Sequence, residues 1–314
     1  MSAVDDGIKP LGKPVRILTP EVSVISRLQR MWAERELLVF MVSRDLSVKY
    51  KGSALGFAWS FLNPALTLAI YDFVFSVALH NPVPDFAIYL MCGLVIWNFF
   101  FNSVLTACAS VVNNSGLIKK VSFSREILVL SSMGTAAVFF FFQAIILTVV
   151  LALFHLVPQS PYVYLVPLAL VVLIIFTSTL SIFFSAVNVY FRDTYHILEV
   201  LLMAWFWATP TVYTWQVASS GLTHHHLTWI YLADPIAPII LLMQRAFYGN
   251  PLAGVARTAG MKVPPPAPHT HYLANFDLSW YLKDFGIVIL VSSILFVLSL
   301  KLFGKLEGNF AEEL

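Results

Sequence analysis

A chain of 314 residues, 59% of them hydrophobic, 15% aromatic and only 11% charged, carries more apolar side chains than one soluble core can enclose. That excludes an ordinary globular domain and makes lipid its solvent. The formal net charge of +2 hides a skew, because Lys9, Lys13, Arg16, Arg27, Arg30, Arg35, Arg44, Lys49 and Lys51 all precede the first long apolar run; basic residues there signal membrane topology and no nucleic-acid partner.

Residues 1–53 are expected to form a cytoplasmic N-terminal segment. Positions 1–36 lack a short apolar stretch with a small-residue cleavage site, so no signal peptide is expected. From Val22 to Asp45, Val24, Leu28, Trp32 and Leu37 mix with Arg27, Arg30, Arg35 and Arg44. This pattern predicts an amphipathic interfacial helix on the cytoplasmic leaflet, a position compatible with docking on a protein partner.

A helix needs about 20 apolar residues to cross the hydrocarbon core. Stretches of that kind run over 54–79, 86–112, 127–156, 163–189, 201–217 and 285–303. Asn63-Pro64 is expected to interrupt the first, since proline lacks an amide hydrogen and disfavours helix in the preceding residue. Lys119, Lys120 and Arg125 lie in loop 113–126 and Arg192 in loop 190–200, whereas 80–85 and 157–162 hold no Lys or Arg. Both termini are therefore expected in the cytoplasm of an inner or plasma membrane. The long segment 218–284 falls outside. Within it, 235–248 is apolar but too short to span, which predicts a re-entrant or interfacial helix, and 263–268 reads as a polyproline linker. The expected fold class is an all-α membrane protein with six transmembrane helices, a transmembrane domain over 54–303 and a cytoplasmic tail over 304–314. No internal repeat of a secondary transporter is visible.

The chemistry-bearing residues are few. No GxxxxGK[ST] phosphate cradle occurs, so no cofactor is expected on this chain, and ATP with its magnesium would belong to a partner. Titratable groups inside spans are chiefly Asp72 and His155, too few for a proton relay; Asp72 is open to a structural hydrogen bond or a place on a transport path. Cys92 and Cys108 lie on roughly opposite faces of one helix and read as packing residues. His224 to His226, His269 and His271 lack converging acidic or cysteine ligands, so no metal site is expected. No catalytic set can be picked out. The mixed charge and hydrophobicity of 113–126 suit docking into another protein's groove.

Several motifs, in order, carry a resemblance: Arg44-Asp45-Leu46-Ser47-Val48-Lys49-Tyr50, then Leu55-Gly56-Phe57-Ala58-Trp59 and Leu62-Asn63-Pro64. Next come Cys92-Gly93-Leu94 with Trp97-Asn98-Phe99-Phe100, and Leu117-Ile118-Lys119-Lys120-Val121 with Phe123 and Arg125-Glu126-Ile127-Leu128. The series closes with Asn188-Val189-Tyr190-Phe191-Arg192-Asp193 and Pro210-Thr211-Val212-Tyr213. Together they resemble the membrane permeases of type-2 ATP-binding-cassette exporters, in the branch that moves O-antigen, teichoic acid, capsule and cell-wall galactan. The resemblance implies two copies of the chain with two ATPase subunits, exporting a lipid-linked glycan. It places Lys119, Lys120, Phe123, Arg125 and Glu126 at the coupling contact, Arg44 and Asp45 where permease meets ATPase, and Arg192 and Asp193 in support.

Two positions depart from the family pattern. Ser124 stands where proline is common, and Asp234 stands before Pro235 where asparagine is. The outer stretch 249–284 is also longer and richer in proline.

Sugar rings stack on aromatic faces while their hydroxyls need amide partners. Asp72, Trp97, Asn98, Phe100, Asn102, Trp205, Trp207 and Tyr213 are accordingly the candidates for a glycan path, with helix packing and aromatic girdles as the competing explanation for the rings. A type-2 exporter of a lipid or drug, and a membrane glycosyl- or acyltransferase, are the alternatives; the second lacks the acidic or histidine cluster it would need.

Overall fold

The computed structural model describes residues 23–78, 83, 86–153, 161–217, 219, 231–248 and 273–313, the side chains of Phe57, Asp72, Ser76, Ala311 and Glu312 excepted. His155, His224 to His226, His269, His271, the proline run and the side chain of Asp72 lie outside the described residues.

Among the described residues all regular structure is helical. The stretch expected as one N-terminal helix is two, α1 (Val24–Ala33) and α2 (Arg35–Tyr50), separated at Glu34, whose φ of −91° and ψ of 18° leave the helical region. Ser23 opens α1 by accepting the amide hydrogen of Ser26, which satisfies one of the helix's free donors. α1 turns Met31 inward and leaves Ile25, Leu28 and Trp32 exposed. α2 lies along a later helix, α6 (Glu126–Leu153), so closely that a Cβ on Gly134 would sit 2.7 Å from the Val42 side chain.

After turns at Gly52 (φ 78°) and Gly56 (φ 48°), α3 (Trp59–Asp72) continues into a wider turn, Phe73–Ala78. Asn63-Pro64 does not break this helix, contrary to the sequence expectation. Pro64 sits near its start and forfeits a single backbone bond, that to the Ser60 carbonyl, while the change of direction falls upstream at the glycines.

Four helices of the described residues are long and apolar enough to cross a membrane: α4 (Phe86–Asn113), α6 (Glu126–Leu153), the run Pro161–Tyr190 that includes α7 (Val166–Tyr190), and α10 (Leu278–Glu307). The short α5 (Ser115–Ile118) links α4 to α6. α4 is the central post, with 83% of its apolar stretch buried against 22% for α6 and for α10; the latter two leave apolar side chains exposed, among them Phe141, Ile145, Ile287 and Leu290.

The stretch expected as a fifth span begins earlier and stops sooner, as α8 (Thr194–Ala208). The polar Tyr195, His196 and Glu199 masked its start in a hydropathy reading. Pro210 ends it, because proline drives the preceding residue out of the helical region, and Thr209 is extended (φ −94°, ψ 146°). The short apolar stretch expected at 235–248 is α9 (Ala237–Met243) with its continuation Gln244–Tyr248, and every residue of α9 is buried. Asp234 ties the chain just before it to the end of α8, Oδ1 accepting the Ile236 amide and Oδ2 the Thr209 hydroxyl at 3.0 Å. Gln244 donates to the Pro210 carbonyl, 3.0 Å away, so the acceptor freed by the break is used. Gly93 lets α9 approach α4: a Cβ there would lie 3.2 Å from both Ile240 and Thr211 side-chain carbons.

Among the described residues two apolar clusters result. The larger fills the bundle around α4. The smaller joins Met31, Met41, Ile118, Ile127, Phe303 and Phe310 at the end where loop 113–126, the end of α7 and the end of α10 meet.

Candidate functional site

At that end several buried and half-buried charges gather, Arg27, Glu34, Arg125, Glu126 and Glu307. Lys119, Lys120 and Val121 are exposed on the outer edge of loop 113–126, and Phe123 is half-buried against the smaller cluster. Arg44 and Asp45 pair within α2 (Nη2 to Oδ1, 2.7 Å), and the same Nη2 donates to Asn114 Oδ1 at 3.1 Å, tying α2 to the start of the loop.

The far end of the loop is held more tightly. Ser124 donates both its amide and its hydroxyl to the Glu34 carboxylate, at 3.0 and 3.2 Å. Arg27 reaches from α1 and donates one nitrogen, Nη1, to Glu126 and to Glu307, the latter at 2.9 Å. Burial works against the charge on Arg27, but the hydrogen bond to Glu307 and the charges of both carboxylates outweigh it and hold its pKa above the ordinary value. Arg125 donates to the Glu307 carbonyl, lies 3.9 Å from that residue's carboxylate and places its guanidinium 5.7 Å over the Phe310 ring. A Cβ on Gly304 would overlap the Arg27 guanidinium, so glycine leaves that seat open. A cleft of about 450 Å³ opens between these groups, lined by Arg27, Arg30, Glu34, Phe123, Ser124 and Glu126 among others. Arg192 and Asp193 are exposed at the start of α8, just beyond Tyr190, whose hydroxyl donates to the Leu306 carbonyl at 3.0 Å.

This charged loop between two apolar helices is braced on helices from both ends of the chain, and the sequence profile of ABC-2 type transporters aligns with residues 36 to 248 around it. The chain belongs to the ABC-2 type transporter family. Among its relatives, an O-antigen export system permease protein RfbA of Klebsiella pneumoniae is 30% identical over 88% of this chain and 94% of its own length. A second protein of that name from Klebsiella pneumoniae is 27% identical over the same shares, and one from Myxococcus xanthus is 33% identical over 73% of this chain and 86% of its own.

In this ABC-2 chain the path candidates divide into three environments. Trp97, Phe100 and Trp205 belong to one packed aromatic group, Phe100 lying 5.5 Å from Trp97 and 5.2 Å from Trp205 between ring centroids. Asn98 and Asn102 face a cleft of about 210 Å³ between α3, α4 and α6, lined also by Asn63, Thr67, Met91 and Gln143. Asn98 donates to Gln143 at 2.9 Å, and Asn102 to the Asn98 carbonyl at 2.7 Å. Trp207 is exposed, and its carbonyl accepts from the Tyr213 hydroxyl at 3.1 Å.

Sequence reasoning missed Arg27, Glu34, Ser124 and Glu307 as members of the loop's bracing, and Gln143 as a member of the cleft. For Gln143 a signal existed, since it is the one amide side chain in the run 127–156. For the others none did, because the contacts join residues 90 to 280 positions apart.

Proposed function

We propose that this chain is the membrane subunit of an exporter that moves a lipid-linked polysaccharide out of the cytoplasm, driven by a separate ATP-hydrolysing subunit. The observation that carries the reading is the braced loop 113–126: Lys119, Lys120, Phe123, Arg125 and Glu126 form a stiff protrusion between α4 and α6, and a stiff protrusion can pass rigid-body motion of a docked ATPase into the helices. Family membership and the names of the O-antigen export relatives support the substrate class.

In this reading two copies of the chain work with two ATPase subunits in the inner or plasma membrane. Both termini are cytoplasmic, and α3 with its continuation and α8 complete six spans around the four long helices. The exposed Ile25, Leu28 and Trp32 of α1, flanked by Arg30 and Arg35, rest on the cytoplasmic leaflet as an interfacial helix. Asp72, Asn98, Asn102 and Trp207 line the glycan path, with Trp97, Phe100, Trp205 and Tyr213 moving to it when the helices part. Hydroxyl-rich substrates pair well with the amide-lined cleft, which a lipid or drug exporter would have less use for.

The test is affinity purification of the tagged chain in mild detergent with mass-spectrometric identification of what accompanies it. An ATPase carrying a Walker motif, recovered in equal amount, is expected; the chain alone under several detergents would refute the reading.

A further inference from the structure

The end of the last long helix and the residues after it brace loop 113–126, and the transport reading gives them no role of their own. Within the stretch read from sequence as a tail, Phe310 is fully buried, its ring 5.4 Å from Phe303 of α10 and 6.2 Å from Tyr190 at the end of α7. The Tyr190 hydroxyl holds the Leu306 carbonyl, Arg125 holds the Glu307 carbonyl, and the Arg125 guanidinium covers the Phe310 ring. Arg27 closes the ring of contacts by sharing Nη1 between Glu126 and Glu307.

We propose that Glu307 and Phe310 are positioning residues that clamp the end of α10 to loop 113–126, so that α10 and the loop move as one body when an ATPase displaces the loop. This rests on the ATPase coupling proposed above. The chemistry favours a clamp over incidental packing for three reasons. Two arginines from separate elements converge on one glutamate, using its carboxylate and its carbonyl. The carboxylate opposite, Glu126, is buried and sits at the first turn of α6, so the charges lie on the exit of the loop and not on its exposed edge. The aromatic wedge fixes α7 as well, through Tyr190. Displacing Lys119 and Lys120 inward therefore loads α6, α7 and α10 together, whereas without the Phe310 ring and the Glu307 carboxylate the described contacts of the loop with α10 shrink to the Arg125 bond to the residue 307 carbonyl and the remainder of the smaller apolar cluster. The consequence for transport is that the last helix responds to ATP although no residue of loop 113–126 is adjacent to it in sequence.

The experiment places nitroxide labels at cysteines substituted for the exposed Lys120 and Lys305 and measures their separation by pulsed electron resonance in the purified permease–ATPase complex, with labelled chain diluted into unlabelled. Cys92 and Cys108 are buried and do not compete for label. The separation is expected to be the same without nucleotide and with ATP trapped, and to become nucleotide-dependent when Phe310→Ala is added. In proteoliposomes loaded with lipid-linked polysaccharide extracted from producing cells, Glu307→Gln and Phe310→Ala should each export several-fold less glycan per ATP hydrolysed, and Phe310→Met, closer to the parent in volume, should keep most of the yield. A Lys120–Lys305 separation that already changes with nucleotide in the parent, or an unchanged yield per ATP in Glu307→Gln, overturns the clamp. Failure of the parent chain to bring down an ATPase would instead refute the proposed function, and the two failures are distinguishable at the purification step.

Discussion

Replacing Arg27 by methionine keeps an unbranched stem in place and removes the charge that Glu126 and Glu307 share. The two carboxylates respond differently. Glu126 has 2% of its side chain exposed, and breaking a buried pair by removing one partner costs about 3–5 kcal/mol because the remaining charge has lost its water as well as its counterion. Glu307 is 23% exposed and still has Arg125 beside it, so its share is no more than about 0.5 kcal/mol. Uptake of a proton relieves part of the penalty on Glu126, which sets the net loss near the lower figure, about 3 kcal/mol. At about 2–4 °C per kcal/mol for a chain of this size, the melting temperature should fall by about 6–12 °C. Size-exclusion of a fluorescent fusion after heating in detergent measures it. The companion variant carries Arg27→Met and Glu126→Gln together; with no buried charge left it should recover more than half of the loss, because contacting residues are not additive. A single variant that melts within about 1 °C of the parent, or a double variant no better than the single, would refute the view that Arg27 neutralises Glu126.

Ser124→Pro removes the amide hydrogen and the hydroxyl that both bind Glu34. It should cost about 1–3 kcal/mol and speed trypsin cleavage at Lys119 and Lys120, followed by gel electrophoresis. Gly93→Val drives two methyl groups toward Ile240 and Thr211 and should destabilise by about 1–3 kcal/mol through overpacking, read as a lower melting temperature in detergent. Trp97→Ala opens a cavity in the core, where Trp97 is 4% exposed, and should cost about 3–5 kcal/mol with matching loss of folded protein. Trp207→Ala, at a side chain 61% exposed, should leave stability within about 0.5 kcal/mol while lowering export; equal expression and equal export would remove Trp207 from the glycan path.

The helical class, the central apolar stretches and the short buried helix near 235–248 were legible in the sequence because each rests on a local property: length, hydropathy or its interruption. Local properties also explain the errors. Pro64 and Pro210 are the same residue type, yet Pro64 falls near the start of a helix, where one lost bond is tolerable, and Pro210 falls at a helix end, where it sets the boundary. Sequence reasoning weighed the first and passed over the second. The single amphipathic helix expected over 22–45 became two because Glu34 turns to reach Ser124, a contact that no window of sequence contains. Ser124 and Asp234 were visible as departures from a family pattern without a chemical meaning. The meaning comes from their partners: Ser124 uses the amide hydrogen that a proline would lack, and Asp234 uses both carboxylate oxygens, one for the start of α9 and one for Thr209. Among the path candidates, sequence could name the residue types but not sort Trp97 into the core and Asn98 onto a cleft wall, since that depends on which neighbours the bundle supplies.

The cluster around Arg27 also has a temporal side. Arg27 and Glu307 are separated by 280 positions, and a ribosome releases a chain from its beginning at about 5–20 residues per second. Arg27 and Glu126 can meet early, but Glu307 arrives last, after every long helix has entered the bilayer. Until then Arg125 has neither its carbonyl nor its ring, and the far end of loop 113–126 lacks that brace. A chain that has not yet placed Glu307 would thus carry a loosened loop 113–126, and completion of the ion cluster is the last step by which that loop reaches its braced form.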